Sequence, residues 1–205
     1  MEPQPAAVAG RRRAAVLAGH AGDAAAGRRS VSDPDASVRA AGLGALGRCG
    51  ALRAGDLVAG LGDPSAVVRR RAADLAAGRV GRRSAALGTA LVATLGDADP
   101  LVVAAACTAL GERSERGAVG ALAATSATHE DLRCRAGAVA ALGAIGDPLG
   151  LPAVLARLDD RPAVRRRAVV ALAAFSGPEV EAALDRCLTD RDWQVRQSAE
   201  VLLGG

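Results

Sequence analysis

Apolar positions along the chain recur with a helical period, and the helical pattern itself recurs. Six stretches align without gaps over fifteen positions: DPDASVRAAGLGALG (33–47), DPSAVVRRRAADLAA (63–77), DADPLVVAAACTALG (97–111), HEDLRCRAGAVAALG (129–143), DDRPAVRRRAVVALA (159–173) and DRDWQVRQSAEVLLG (190–204). They start at 33, 63, 97, 129, 159 and 190, so the steps are 30, 34, 32, 30 and 31. An internal period of this size predicts stacked supersecondary units that share one continuous core.

Each column of the alignment has a physical role. Five residues after the start stands Val38, Val68, Val102, Cys134, Val164 or Val195; nine after stands Gly42, Ala72, Ala106, Ala138, Ala168 or Ala199. Thirteen after stands Leu46, Ala76, Leu110, Leu142, Leu172 or Leu203. These offsets are successive i, i+4 steps and form one apolar stripe on a helix. The small middle residue lets a neighbouring helix come close. The first position is Asp33, Asp63, Asp97, Asp159 or Asp190, with His129 the exception. Aspartate there is expected to cap the helix by accepting first-turn amide hydrogens, and Pro34 and Pro64 fit a first turn.

Glycine-rich breaks follow the first helices: GRCG (47–50), GER (111–113), GAIGDP (143–148) and FSGP (175–178). Second helices are predicted after them, with apolar pairs Leu57/Leu61, Leu91/Leu95 and Leu184/Leu188. The expected architecture is all-α: one domain over 1–205, a right-handed alpha-solenoid of about six stacked helix–turn–helix repeats. Residues 1–32 form a tail and a degenerate leading repeat, 33–189 five repeats, and 190–205 a terminal half repeat. The stretch read ends directly after a first helix, so one apolar side is expected to close by self-association, by a partner, or as a short natural cap.

The pattern Asp-Pro…Val-Arg…Ala…Ala-Leu at this period resembles HEAT repeats, and more narrowly the short bacterial HEAT-like repeats also found in phycobilin lyases. The resemblance covers roughly residues 33–205. It implies a scaffold whose second helices line a concave binding side, and it implies a ladder of Asp near each repeat start and Arg six residues later. The matching residues are Asp33 and Arg39, Asp63 and Arg69, Asp159 and Arg165, and Asp190 and Arg196. Val103 stands at the Arg place of the third repeat and His129 at the Asp place of the fourth. The ladder, and with it the regularity or stiffness of the stack, is therefore expected to be interrupted between about residues 97 and 135.

Composition changes the weight of the arginines. All 26 basic residues are Arg, and there is neither Lys nor Asn. Such usage fits a GC-rich genome, so abundant Arg says little about phosphate binding. Residues 1–96 carry 14 Arg against 7 acids, or +7, and residues 97–205 carry 12 Arg against 15 acids, or −3. The triplet Arg69-Arg70-Arg71 is not one patch: on a helix of about 100° per residue its members point to one flank, to solvent and to the other flank. The same holds for Arg165-Arg166-Arg167.

Candidate chemistry is sparse. His20 and His129 lie far apart, which leaves no His-based acid–base pair. Deoxyhypusine hydroxylase is HEAT-like and holds two irons through several His-Glu pairs; His129-Glu130 is a single pair at a cap, so no metal site is expected. The four cysteines (49, 107, 134, 187) are widely spaced and read as small buried residues rather than disulfides or metal ligands. No cofactor, no catalytic residue and no membrane span is expected, and the default location is the cytoplasm. Alkylpurine DNA glycosylases also use HEAT-like repeats, with aromatics at the lesion. Here Phe175 and Trp193 are the only aromatics, far from the basic half. Trp193 either fastens the first turn of its helix to a neighbour or is a partner hot spot.

The favoured expectation is a non-enzymatic scaffold or adaptor for a partner protein. The alternatives are nucleic-acid binding through the basic N-terminal half, and an accessory subunit of a lyase or protein-modifying enzyme. Candidate partner-binding residues are Arg53, Arg79, Arg82, Arg83, Arg113, Arg116 and Trp193.

Overall fold

The computed structural model describes residues 5–78 and 84–204, and all regular structure among them is helical. In chain order the α-helices are α1 (Pro5–Ala21), α2 (Ala24–Ser30), α3 (Ala36–Arg48), α4 (Ala54–Leu61), α5 (Ala66–Ala76), α6 (Ala85–Thr94), α7 (Pro100–Glu112), α8 (Val119–Thr128), α9 (Leu132–Ile145), α10 (Leu151–Ala156), α11 (Pro162–Leu172), α12 (Pro178–Cys187) and α13 (Trp193–Gly204). Short 3₁₀ turns lie at Arg116–Ala118, Pro148–Gly150 and Arg157–Asp159.

These helices fall into two compact units, divided between Thr94 and Leu95. Within the first, α1 packs on α3 and α3 on α5; α2 and α4 pack on α3 and α5, and α6 packs on α4. Within the second, α7, α9, α11 and α13 pack in succession, and α8, α10 and α12 pack against them. Each unit is thus a two-layer stack of helix–turn–helix hairpins, the alpha-solenoid architecture, with the core between the layers.

The apolar stripe fills that core. Val38, Val68, Val102, Cys134, Val164 and Val195 are all at most 2% exposed, and Leu46, Leu110, Leu142 and Leu172 at most 1%. Layers this close need small residues. A Cβ on Gly143 would lie 2.7 Å from the Ala171 Cβ and 2.8 Å from its Cα. Gly143 of α9 therefore lets α11 approach to backbone contact, and Gly111 does the same against Ala141. The sequence pattern placed these glycines in breaks. They lie inside α7 and α9 instead, and their role is close approach. The turn itself falls a few residues later, where Gly146 takes φ 64° and accepts the left-handed conformation that ends α9.

The caps also sit elsewhere than the alignment suggested. The capping residue is two places beyond the repeat start. Asp35 accepts from the Ser37 and Val38 amides, Asp99 from Leu101 and Asp131 from Arg133. The leading aspartates Asp33, Asp63, Asp97 and Asp190 accept instead from the amide two residues on, which fixes the turn before the helix. Pro34 and Pro64 consequently precede the caps, while Pro100 and Pro162 occupy the first helical turn. The leading repeat is a full hairpin, and its first helix, α1, starts at Pro5.

Candidate functional site

The leading aspartates and the arginines six residues later are joined across repeats. Arg39 donates from Nε and Nη2 to both carboxylate oxygens of Asp63 at 2.8 Å, and from Nη1 to the Asp33 and Pro34 carbonyls of its own repeat. Arg165 makes the same fork to Asp190 at 2.9 and 2.7 Å and donates from Nη1 to the Asp160 carbonyl. Arg69 donates to the Asp63 and Pro64 carbonyls. Arg39 and Arg165 thus staple their own turn while their forks hold the next repeat. Bidentate charge-assisted bonds of this kind are the strong ones, and at this rung little water competes: the Arg165 and Asp190 side chains are 5% and 16% exposed.

Further ties in this row lie outside the four matching pairs. Arg11 forks onto Asp33, so the leading repeat joins the ladder. Arg135 forks onto Asp160 at 3.0 and 2.8 Å, and Arg166 bonds Asp192. Asp160, not Asp159, is the ladder residue. The 3₁₀ turn Arg157–Asp159 prolongs the second helix by three residues and leaves Asp159 exposed, so the carboxylate that follows faces Arg135. Off the ladder, Arg28 bonds Asp56 and the Ala51 carbonyl, and Arg157 donates to the Ser126 carbonyl at the end of α8. Pairing the Arg of one repeat with the Asp of the next, rather than of its own, would have found Arg11 and Arg135.

Electrostatics follow the geometry. The Arg39 fork holds the Asp63 carboxyl below the ordinary range against the opposing effect of burial, and Arg135 does the same for Asp160. For Asp190 burial pushes upward, but the Arg165 fork and the Asp192 amide together outweigh it and the value falls. Asp131, bonded by the Arg133 side chain and amide, drops to about 2. Burial pushes the Cys107 thiol up to about 12 and Cys134 up to about 11, which keeps both protonated and unreactive.

One place in the row carries no charge pair. Val103 is fully buried where the other repeats have Arg, and His129 stands where they have Asp. His129 Nδ1 accepts from the Asp131 amide at 3.1 Å, so the imidazole reproduces the turn-fixing bond of the aspartates and not their ladder bond. The interruption is narrower than expected, because Arg135 still pairs forward with Asp160. Ala98, Pro100, Thr128, His129, Glu130 and Asp131 line an open depression of about 700 Å³ there. Among the described residues no three His, Cys, Asp or Glu side chains are grouped as a metal site.

Of the candidate partner-binding residues, Arg53 belongs to the first unit, and Arg113, Arg116 and Trp193 to the second. Arg79, Arg82 and Arg83 lie outside the described residues. Arg53 precedes α4, exposed, with its amide bonded to Asp56 at 2.8 Å. Arg116 opens a 3₁₀ turn and is exposed. Arg113 drops out as a contact residue: its side chain is 0% exposed, with Nη2 3.8 Å from the Glu115 carboxylate. Trp193 begins α13 and is 61% exposed, so it does not fasten that helix by burial.

Two faces of the second unit remain open. On the first-helix layer a groove of about 590 Å³ runs over α7, α9 and α11, floored by Ala104, Ala136, Gly137 and Ala140 and flanked by Arg133 and Arg167. On the second-helix layer α8 and α10 expose only small or uncharged residues, such as Gly120, Ala124 and Pro152. There α12 exposes Glu179, Glu181 and Asp185 against Arg186.

Stacked helical hairpins tied by a repeating Arg–Asp fork define a helical-repeat protein. The HEAT-repeat family model matches residues 88–163 and again 127–204, and the chain belongs to the HEAT repeat family. Among solved structures it is similar to a designed armadillo repeat protein in complex with the peptide (KR)4, at 20% identity and a TM-score of 0.65 over 86% of this chain and 96% of that one. It is similar to the complex of CpcE and CpcF of phycocyanin lyase from Nostoc sp. PCC7120, at 22% identity and a TM-score of 0.63 over 88% and 76%. Human deoxyhypusine hydroxylase aligns at 26% identity and a TM-score of 0.52 over 80% and 66%. No curated protein matches the sequence. No helix among the described residues is long and apolar enough to cross a membrane.

Proposed function

We propose that the chain is a non-enzymatic HEAT-repeat scaffold or adaptor that binds a partner protein through its second-helix face. The observation that carries this reading is the division of labour between side chains. Arg11, Arg39, Arg135 and Arg165 are engaged between repeats, whereas the second helices of the C-terminal unit present small uncharged residues at α8 and α10 and three acids against Arg186 at α12. A face on which acids outnumber cations does not favour phosphates. Small side chains leave the backbone accessible to an incoming protein segment, and the acids at α12 favour one with basic residues. A subunit of a lyase or protein-modifying enzyme is a special case of this reading, in the manner of the similarity to the CpcE–CpcF complex.

Nucleic-acid binding is the second reading, and one observation favours it: Arg12, Arg13, Arg29, Arg53 and Arg70 are exposed in the first unit, which carries the +7 half of the chain. Capture from lysate on the immobilised chain, with and without nuclease, separates the two. The scaffold reading expects a protein that survives nuclease treatment and is lost with Ala124→Glu on α8. Capture that depends on nucleic acid, weakens steeply with salt and ignores Ala124→Glu overturns it.

A further inference from the structure

In each unit the first helices stack through one repeated stripe. In α11 it is Pro162, Arg165, Val169 and Leu172; the last three are buried, and Arg165 reaches Asp190 in the turn before α13. In α9 the equivalent residues Arg135, Val139 and Leu142 face the same way, with Val139 and Leu142 fully buried. The same stripe on α13 is Trp193, Arg196, Glu200 and Leu203, and no described helix covers it: α13 packs on α11 and α12 through Val195 and Ala199, both 0% exposed. Trp193 is 61% exposed and Leu203 41%.

The chemistry of the uncovered stripe departs from the repeat at one place. The column that holds Leu43, Ala73, Cys107, Val139 and Val169, all buried, holds the exposed Glu200 in α13. Beneath a further repeat of the same kind that carboxylate would be buried against apolar neighbours, which is costly. Arg196 keeps the staple of the other ladder arginines, Nη1 to the Asp190 carbonyl at 2.8 Å. Its Nε and Nη2, the atoms that grip the next aspartate in Arg39 and Arg165, have no partner among the described residues, and neither has the Glu200 carboxylate. Arg196 and Glu200 do not bridge each other.

The spacing of the four residues is 3, 4, 3, so on an α-helix they lie within about 80° of one another. This is the a–d spacing of two helices that pack along a seam, and in an antiparallel pair each a residue meets a d residue of the other helix. The stripe is also symmetric in sequence. A twofold axis at the level of Ser198 sets Trp193 opposite the partner's Leu203, and Arg196 opposite the partner's Glu200. Each contact occurs twice, apolar with apolar and cation with anion, which is the self-complementarity an isologous interface requires.

We propose that α13 is a homodimerisation face, on which a second copy of this chain docks antiparallel through Trp193, Arg196, Glu200 and Leu203. A second copy is the occupant because the charges on the face match their own twofold image. The pairing is independent of what the second-helix face binds.

Sedimentation velocity across a concentration series tests it. The wild-type chain is expected to pass from the 20.4 kDa monomer to twice that mass. Arg196→Glu and Glu200→Arg each set like charges against each other twice, and each is expected to weaken the dimer by more than about tenfold. An equimolar mixture of the two variants restores opposite charges on both contacts and is expected to form a heterodimer. The double variant R196E/E200R is expected to regain the homodimer. Glu200→Arg disturbs no bond within the chain, so loss of folding does not mimic its effect; far-UV circular dichroism checks both variants. A wild-type chain that stays monomeric throughout, as it would if the face took a foreign helix instead, overturns the proposal. So does a dimer that both reversals leave intact, or a mixture that does not associate.

Discussion

The Arg165–Asp190 rung and the place held by Val103 and His129 are equivalent positions of the repeat, yet only one carries charge. At the first, a guanidinium fork satisfies both carboxylate oxygens and the backbone before α11. At the second, a fully buried valine replaces the cation, and a histidine keeps the turn-fixing bond alone. The two substitutions compensate. Losing Arg without losing Asp would leave a half-buried carboxylate unpaired, which costs more than losing both. The comparison separates two functions that one aspartate combines: holding the turn, which His129 also performs, and gripping the preceding repeat, which it does not.

Breaking the charged rung carries the largest expected effect. Arg165→Ala removes the fork and the carbonyl staple and strands Asp190, and it is expected to cost about 2–4 kcal/mol of unfolding free energy in urea denaturation. Building the missing rung comes next. Val103→Arg alone places a cation at a buried site without its carboxylate and is expected to cost about 2 kcal/mol. Adding His129→Asp is expected to recover most of that loss, because an aspartate there fixes the same turn and accepts the fork.

Acid should attack the charged rungs in particular. Asp63, Asp160 and Asp190 are held below their ordinary values in the folded chain. Their stabilisation is therefore complete above the unfolded value of about 4 and is lost as pH falls through the folded values. Thermal melts are expected to be level around neutrality and to drop below about pH 5. The drop should be shallower for Arg165→Ala, whose Asp190 loses the fork that favours its ionised form. Smallest of all is Arg133→Ala. The Arg133 side chain is 61% exposed and bonds only Asp131 of its own turn, so its removal is expected to leave the melting temperature unchanged.

Much of the fold was legible in the residues, because stacking repeats one environment and the environment repeats its residue types. The stripe of Val38, Val68 and Val102 and the column of Arg39 and Arg165 mark the core and the inter-repeat edge directly. The local backbone was not legible. Which of two aspartates two residues apart caps a helix, and whether Asp159 or Asp160 meets Arg135, depends on the turn each loop adopts. A 3₁₀ turn changes that without changing the alignment. Gly111 and Gly143 read as breaks because a glycine needed for a turn and a glycine needed for close helix contact look alike in one dimension. The candidate contact residues were the least legible. Burial of Arg113 and exposure of Trp193 depend on how each is packed, which their residue types do not state.

A double-mutant cycle on Arg165 and Asp190 tests the central claim most directly, that the recurrent arginines are ties between repeats. Urea denaturation of wild type, R165A, D190A and R165A/D190A isolates the pair from the separate bonds each residue makes to backbone. A favourable coupling of about 1–3 kcal/mol is expected. Losses that simply add would mean that the fork contributes nothing to stacking, and would return these arginines to the surface as free cations.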